Sequence, residues 1–207
     1  MSTTSQPDRS FAITGSKALP VLLTLTSSAL DSPIKTPDIR QNPTPKQRYE
    51  VTLNIYDAPG PFDAIHACAN YRVTNEDCIP LTPVTGIRIE PQETLPMTLT
   101  KLRDRVYRGT VCADQLMDED YYGLGICDWD LVAAGVKLTA GDQDFSPAIY
   151  AAEIRSGKGV DRYFSSQAYR EYRGAHLVDI GNAHREDIKT LAPNIFPTTL
   201  TASEPAK

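Results

Sequence analysis

The densest group of chemically capable side chains lies between Asp114 and Asp120, where the segment DQLMDED runs directly into Tyr121, Tyr122 and Gly123. Asp114, Asp118, Glu119 and Asp120 are hard oxygen donors of the kind that hold Ca²⁺. They lack the alternating ligand spacing, central glycine and terminal glutamate of an EF-hand loop, so no metal is assigned to them. Two other uses fit the same residues. One is a solvated connection between strands. The other is a partner-binding loop, Asp118, Glu119, Asp120, Tyr121 and Tyr122, whose carboxylates steer a basic partner while the tyrosines supply rigid amphipathic area.

The patterns that mark enzymes are missing from the chain: it holds no GxSxG elbow, HExxH pair, P-loop or GxGxxG. Gly123-Leu124-Gly125 reads as a turn device and not as a phosphate cradle. His66, His176 and His184 are too widely spaced for a zinc site and read as surface histidines. The expectation is a protein that binds and does not catalyse, with no cofactor.

Cysteine usage carries a second chemistry. Cys68, Cys78, Cys112 and Cys127 contain no CxxC pair, and an even number at wide spacing predicts two disulfides of the kind that persist in an oxidising compartment. Parity offers a pairing. Cys68 and Cys112 fall on the polar faces of their strands, whereas Cys127 shares a face with Trp129 and Leu131, a face on which Trp129 reads as core. If the second and fourth long strands are neighbours, Cys68 meets Cys112 on an outer face and Cys78 closes on Cys127.

The elements that must position these residues begin after an unusual N-terminus. Residues 1–30 read as a leader: Arg9 and Lys17 precede an apolar run from Ala18 to Leu30, and Ser27 and Ala29 suit a signal-peptidase site. Pro20 and several hydroxyl residues interrupt the run, which is too short for a stable transmembrane span. No cysteine stands at a lipobox position. The expected address is the periplasm, with the N-terminus the candidate point of any membrane association. Residues 31–48, with Pro33, Pro37, Pro43 and Pro45, read as a linker.

From Tyr49 the pattern changes to period two: Tyr49, Val51, Leu53 and Ile55 alternate with polar neighbours, and Ile65, Ala67, Ala69, Tyr71 and Val73 repeat the pattern. Further strands are expected at 97–102, 106–113, 125–138, near 148–154 and at 196–202, with weak helical periodicity at 165–172 and 183–191. The fold class is therefore mostly β: an immunoglobulin-like antiparallel β-sandwich over 49–203 with a short irregular or helical C-terminal segment, and a tail at 204–207.

Charge narrows the partners. Twenty-six acidic residues against 21 basic ones give a net charge of -5, which disfavours nucleic acid. Arg103, Arg105 and Arg108 are interrupted by Asp104 and read as a solvated strand face.

Three segments, Asp57 to Phe62 (DAPGPF), Cys78 to Pro83 (CIPLTP) and Asp118 to Trp129 (DEDYYGLGICDW), resemble small exported proteins of Gram-negative bacteria, over about Tyr49 to Thr201. Such proteins are associated with periplasmic immunity to antibacterial effectors delivered by type VI or related secretion systems. The resemblance implies a protein that binds and neutralises a secreted effector, a lipase or cell-wall hydrolase; it assigns no residue a role. Two readings stand beside it: a small-ligand or calcium-binding envelope protein, and a structural component of a surface assembly.

Overall fold

A computed structural model describes residues 36–189 and 194–205. The leader and the start of the linker lie outside the described residues. The first strand, β1 (Arg48–Ile55), buries Val51, Leu53 and Ile55 while the residues between them stay half-exposed, as period-two alternation requires. It is flanked on both sides. β5 (Val106–Cys112) and β11 (Ile195–Ser203) pair with it in antiparallel register, Leu53 facing Tyr107 on one side and Leu200 on the other. β4 (Leu99–Arg103) and β9 (Val160–Ser165) complete the first sheet, in the order β4-β5-β1-β11-β9.

The second sheet is built on β2 (Ala64–Val73) and β6 (Trp129–Ala140), antiparallel from Ala64 opposite Thr139 to Val73 opposite Trp129. Opposite Asn70 and Tyr71 a bulge gives β6 one extra residue, Val132, and shifts its buried positions from Trp129 and Leu131 to Ala134, Val136 and Leu138, while Tyr71 and Val73 stay buried on β2. β3 (Gln92–Pro96) edges β2, while β7 (Gln143–Phe145) and β10 (Leu177–Asp179) extend the other side. β10 runs parallel to β7, and β8 (Ala148–Tyr150) pairs with β6. The molecule is thus a mostly β sandwich of two sheets with short helical segments.

Aromatic rings join the layers. Phe145 from the second sheet meets Phe196 and Phe164 from the first at centroid distances of 5.2 and 5.4 Å, all three fully buried. Tyr71 adds a polar tie across the core, its hydroxyl donating to the Cys112 carbonyl at 2.8 Å. Burial pushes that phenol well above its ordinary pKa, so it remains a donor.

Among the described residues, three short α-helices fill the connections: α1 (Ala151–Ser156), α2 (Ser166–Glu171) and α3 (Arg185–Lys189). The stretch 148–154, expected as one strand, switches at Tyr150 from β8 into α1. Ile149 and Ile154 are both buried across the switch, so one apolar pattern serves two geometries. The strand expected from Gly125 starts only at Trp129, because Gly125 adopts φ 116° and the chain turns there.

One of the two disulfides forms. Cys78 and Cys127 are bonded, with Cα atoms 5.3 Å apart, whereas Cys68 and Cys112 are free thiols. The expected Cys68–Cys112 bridge fails because its premise does: β2 and β5 belong to different sheets and are not neighbours. Cys68 stands on β2 opposite Gly135 and Pro96, and Cys112 opposite Arg48.

Residues 36–47, read as a linker from their prolines, lie extended along 113–117. Backbone bonds join Asn42 N–H to the Gln115 carbonyl at 2.8 Å, Met117 N–H to the Arg40 carbonyl at 2.9 Å and Ala113 N–H to the Gln47 carbonyl at 2.8 Å. Ile39 packs on the core. Among the described residues, no helix is long and apolar enough to cross a membrane.

Candidate contact surface

The acidic loop sits at the end of the sandwich where β2 finishes and β6 begins. Its carboxylates are engaged one by one. Asp114 accepts the backbone N–H groups of Lys46 and Gln47 at 2.8 and 3.0 Å, and Asp118 accepts that of Trp129 at 2.8 Å. Asp120 takes two, from Gly123 at 2.6 Å and Leu124 at 3.1 Å, closing the turn that Gly123 makes at φ 76°. Glu119 holds the Arg40 guanidinium in a two-pronged pair, with Arg40 Nε donating at 3.0 Å, and tethers the 36–47 strap to the loop.

The tyrosines are also turned inward. Tyr121 donates its hydroxyl to the Met117 carbonyl at 2.5 Å and stands edge-on to the buried Trp129 at 6.5 Å. Tyr122 packs against the core and lines a shallow groove of about 330 Å³ with Ile39, Ile79 and Ile89. Burial raises the pKa of both phenols. Asp118 through Tyr122 are therefore brought together, but as a braced turn with Asp118 and Asp120 exposed and Glu119, Tyr121 and Tyr122 half-buried.

What that turn braces is an arm. Cys127 is tied to Cys78 by the disulfide and to Glu119 by its N–H, and Asn75 fixes the same root through bonds to Ile126 and Asp128. From this root residues 79–91 fold back on themselves: Leu81 and Arg88 form a bridge, Thr82 accepts the N–H of Gly86 at 2.9 Å, and Arg88 Nε donates to the Ile79 carbonyl at 3.0 Å. Gly86 adopts φ 65°, the left-handed turn position that favours glycine. Ile79 is buried beneath.

Beyond Ile79 the arm offers its aliphatic side chains to water. Leu81, Val84, Ile87 and Ile89 are all exposed, Val84 at 87% and Ile89 at 64%, and Leu124 and Ile126 are exposed beside the root. Between Ile79 and Pro96 four prolines mask any strand pattern in the sequence. The signal was available in those four aliphatics, which follow neither a two-residue nor a helical period and so belong to no element that could bury them.

The other candidate residues scatter. His66 is exposed on the outer face of β2 and His184 stands just before α3. His176 reaches Asp144, its Nε2 2.7 Å from Oδ2, while the Thr139 hydroxyl donates to the other carboxylate oxygen, Oδ1, at 2.6 Å. Among the described residues, no group of three or more His, Cys, Asp or Glu side chains is placed to hold a metal ion.

No family model matches the chain, and no curated protein or solved structure matches it. The surface must therefore be read from its own chemistry.

Proposed function

We propose that this is an exported protein that binds and neutralises a secreted antibacterial effector, a lipase or cell-wall hydrolase, through the arm at 79–91 and the braced turn at Asp118–Tyr122. One observation carries the reading: four aliphatic side chains are held in water on an arm anchored by a disulfide and by the loop's internal hydrogen bonds. Exposed aliphatic side chains gathered on one short arm favour an interaction site, and anchoring the arm in advance lowers the ordering cost of binding. The oxidised Cys78–Cys127 pair supports an oxidising compartment such as the periplasm. The net charge of -5 favours a partner with a basic rim.

Because Asp118, Glu119 and Asp120 hold the turn itself, reversing their charge would disturb the fold as well as any contact. The exposed arm is the cleaner target. The oxidised full-length protein is used to capture proteins from its host's secreted fraction, and each captured hydrolase is assayed with and without it. The reading expects one hydrolase to be inhibited at one-to-one stoichiometry. Val84→Asp with Ile89→Asp should weaken that inhibition at least about tenfold with no loss of thermal stability. Equal inhibition by the double variant, or no hydrolase inhibited, overturns it.

A further inference from the structure

The far end of β2 carries a different feature. A mouth of about 390 Å³ opens between the two sheets where β1 ends and β2 begins, roughly 30 Å along β2 from the disulfide. Its floor is apolar and comes from both layers: Ile55 and Tyr107 from the first sheet, Ile65 and the preceding Phe62 from the second. Phe62 is held in place by rings on three sides, Tyr169 at 5.5 Å, Phe196 at 6.2 Å and Phe145 at 6.3 Å. Its rim carries two cations, Lys101 from β4 and Arg105 from the turn between β4 and β5.

This rim runs against the charge of the molecule. The hairpin from Leu99 to Arg108 holds Lys101, Arg103, Arg105 and Arg108 against Asp104 alone, four cations to one carboxylate, in a chain with a net charge of -5. Arg108 is committed to Glu50 at 3.3 Å. Lys101 and Arg105 pair with Asp104, at 3.2 and 3.8 Å, and the Asp104 side chain is 82% exposed at the tip of the turn. Pairs that open to water are weak and exchange readily for a better anion.

The backbone of the mouth is also set in an unusual way. Among the described residues, the two non-glycine residues with positive φ are Asp57, at 51°, and Arg105, at 60°, one in each chain segment that forms the walls. The two walls are joined by the Ile55 N–H, which donates to the Arg105 carbonyl at 2.9 Å. Side chains tolerate this region poorly, and such positions cluster where a ligand is held. At Arg105 the turn brings a guanidinium to the rim of an apolar cavity.

We propose that this mouth binds a small amphipathic carboxylate. Its apolar body lies on Ile55, Phe62, Ile65 and Tyr107, and its carboxylate oxygens accept hydrogen bonds from Lys101 Nζ and the Arg105 guanidinium. A bare inorganic anion would leave the floor uncovered, and an amphipathic cation would meet two positive charges. Asp104 is the native competitor for the cations, so removing its charge strengthens the site. The site is separate from the arm and does not depend on the partner proposed for it.

The test is titration calorimetry on the full-length protein with octanoate, octylamine and inorganic phosphate. Octanoate is expected to saturate one site while octylamine and phosphate bind at least tenfold more weakly. Lys101→Gln and Arg105→Gln should each weaken octanoate about threefold, and Asp104→Asn should tighten it by a similar factor. Methyl resonances of Ile55 and Ile65 locate the ligand. No octanoate binding, comparable binding of octylamine, a weaker site in Asp104→Asn, or shifts confined to Ile87 and Ile89 would each overturn the assignment.

Discussion

Thiol chemistry divides the four cysteines into a bonded pair and two free side chains with different prospects. Cys68 is half-buried on the outer face of β2, whereas Cys112 is buried and its thiol is pushed up in pKa, mainly by desolvation. Without reductant, the unfolded chain should take up two equivalents of maleimide, and in the native fold Cys68 should react well before Cys112. The Cys78–Cys127 bond closes a loop spanning 49 residues. Replacing either partner with serine should lower stability by about 2–4 kcal/mol in urea denaturation under oxidising conditions. Asp144 makes a second prediction at this scale. Burial drives its carboxyl up, but bonds from Thr139 and His176 and the charge of Lys137, 3.5 Å away, outweigh that and hold it below the usual carboxylate range. A depressed folded pKa contributes stability above about pH 4 that is lost as pH falls through the folded value. Urea denaturation of Asp144→Asn should therefore show a deficit at pH 7 that shrinks steadily below pH 4.

Among the elements, the strap at 36–47 is the one whose proline content hides a structural role. Asp114 caps its end by accepting two N–H groups, and Asp114→Ala should cost about 1–3 kcal/mol and speed amide exchange at Lys46 and Gln47. Strands with a clean alternation, β1, β2, β5 and β11, were legible from their residues alone. β4, β6 and the start of β8 were also expected, with displaced ends, whereas β3, β7, β9 and β10 were obscured for identifiable reasons. In β9, Arg162 occupies the inward parity between Val160 and Phe164 and breaks the apolar pattern. In β7, Gln143 and Asp144 look like solvent residues but are buried, satisfied by Leu177 and by Thr139 with His176. β3 ends on Pro96 and β10 has three residues, too few for a period to register. The acidic segment stood out at once, yet spacing could not tell that its carboxylates bond the loop's own backbone. The arm, with no period, left only its unassigned aliphatics as a trace.

At the scale of the molecule, charge and apolar exposure are distributed to opposite ends of β2: aliphatic side chains at the disulfide end, cations over an apolar floor at the other. Neither is evident from a net charge of -5 or a count of hydrophobic residues. The order of the first sheet has a different consequence. Its central strand, β1, is seated between β5 and β11, so the earliest strand finds one of its two partners, β11, among the last residues of the fold. Phe196 arrives on that same strand to complete the aromatic cluster with Phe145 and Phe164. During synthesis, β1 emerges from the ribosome long before residues 195–203 exist, and such long-range pairing closes slowly even once they do. The nascent chain is thereby kept from completing its sandwich, and a translocation channel that admits only unfolded polypeptide would have no finished core to dismantle.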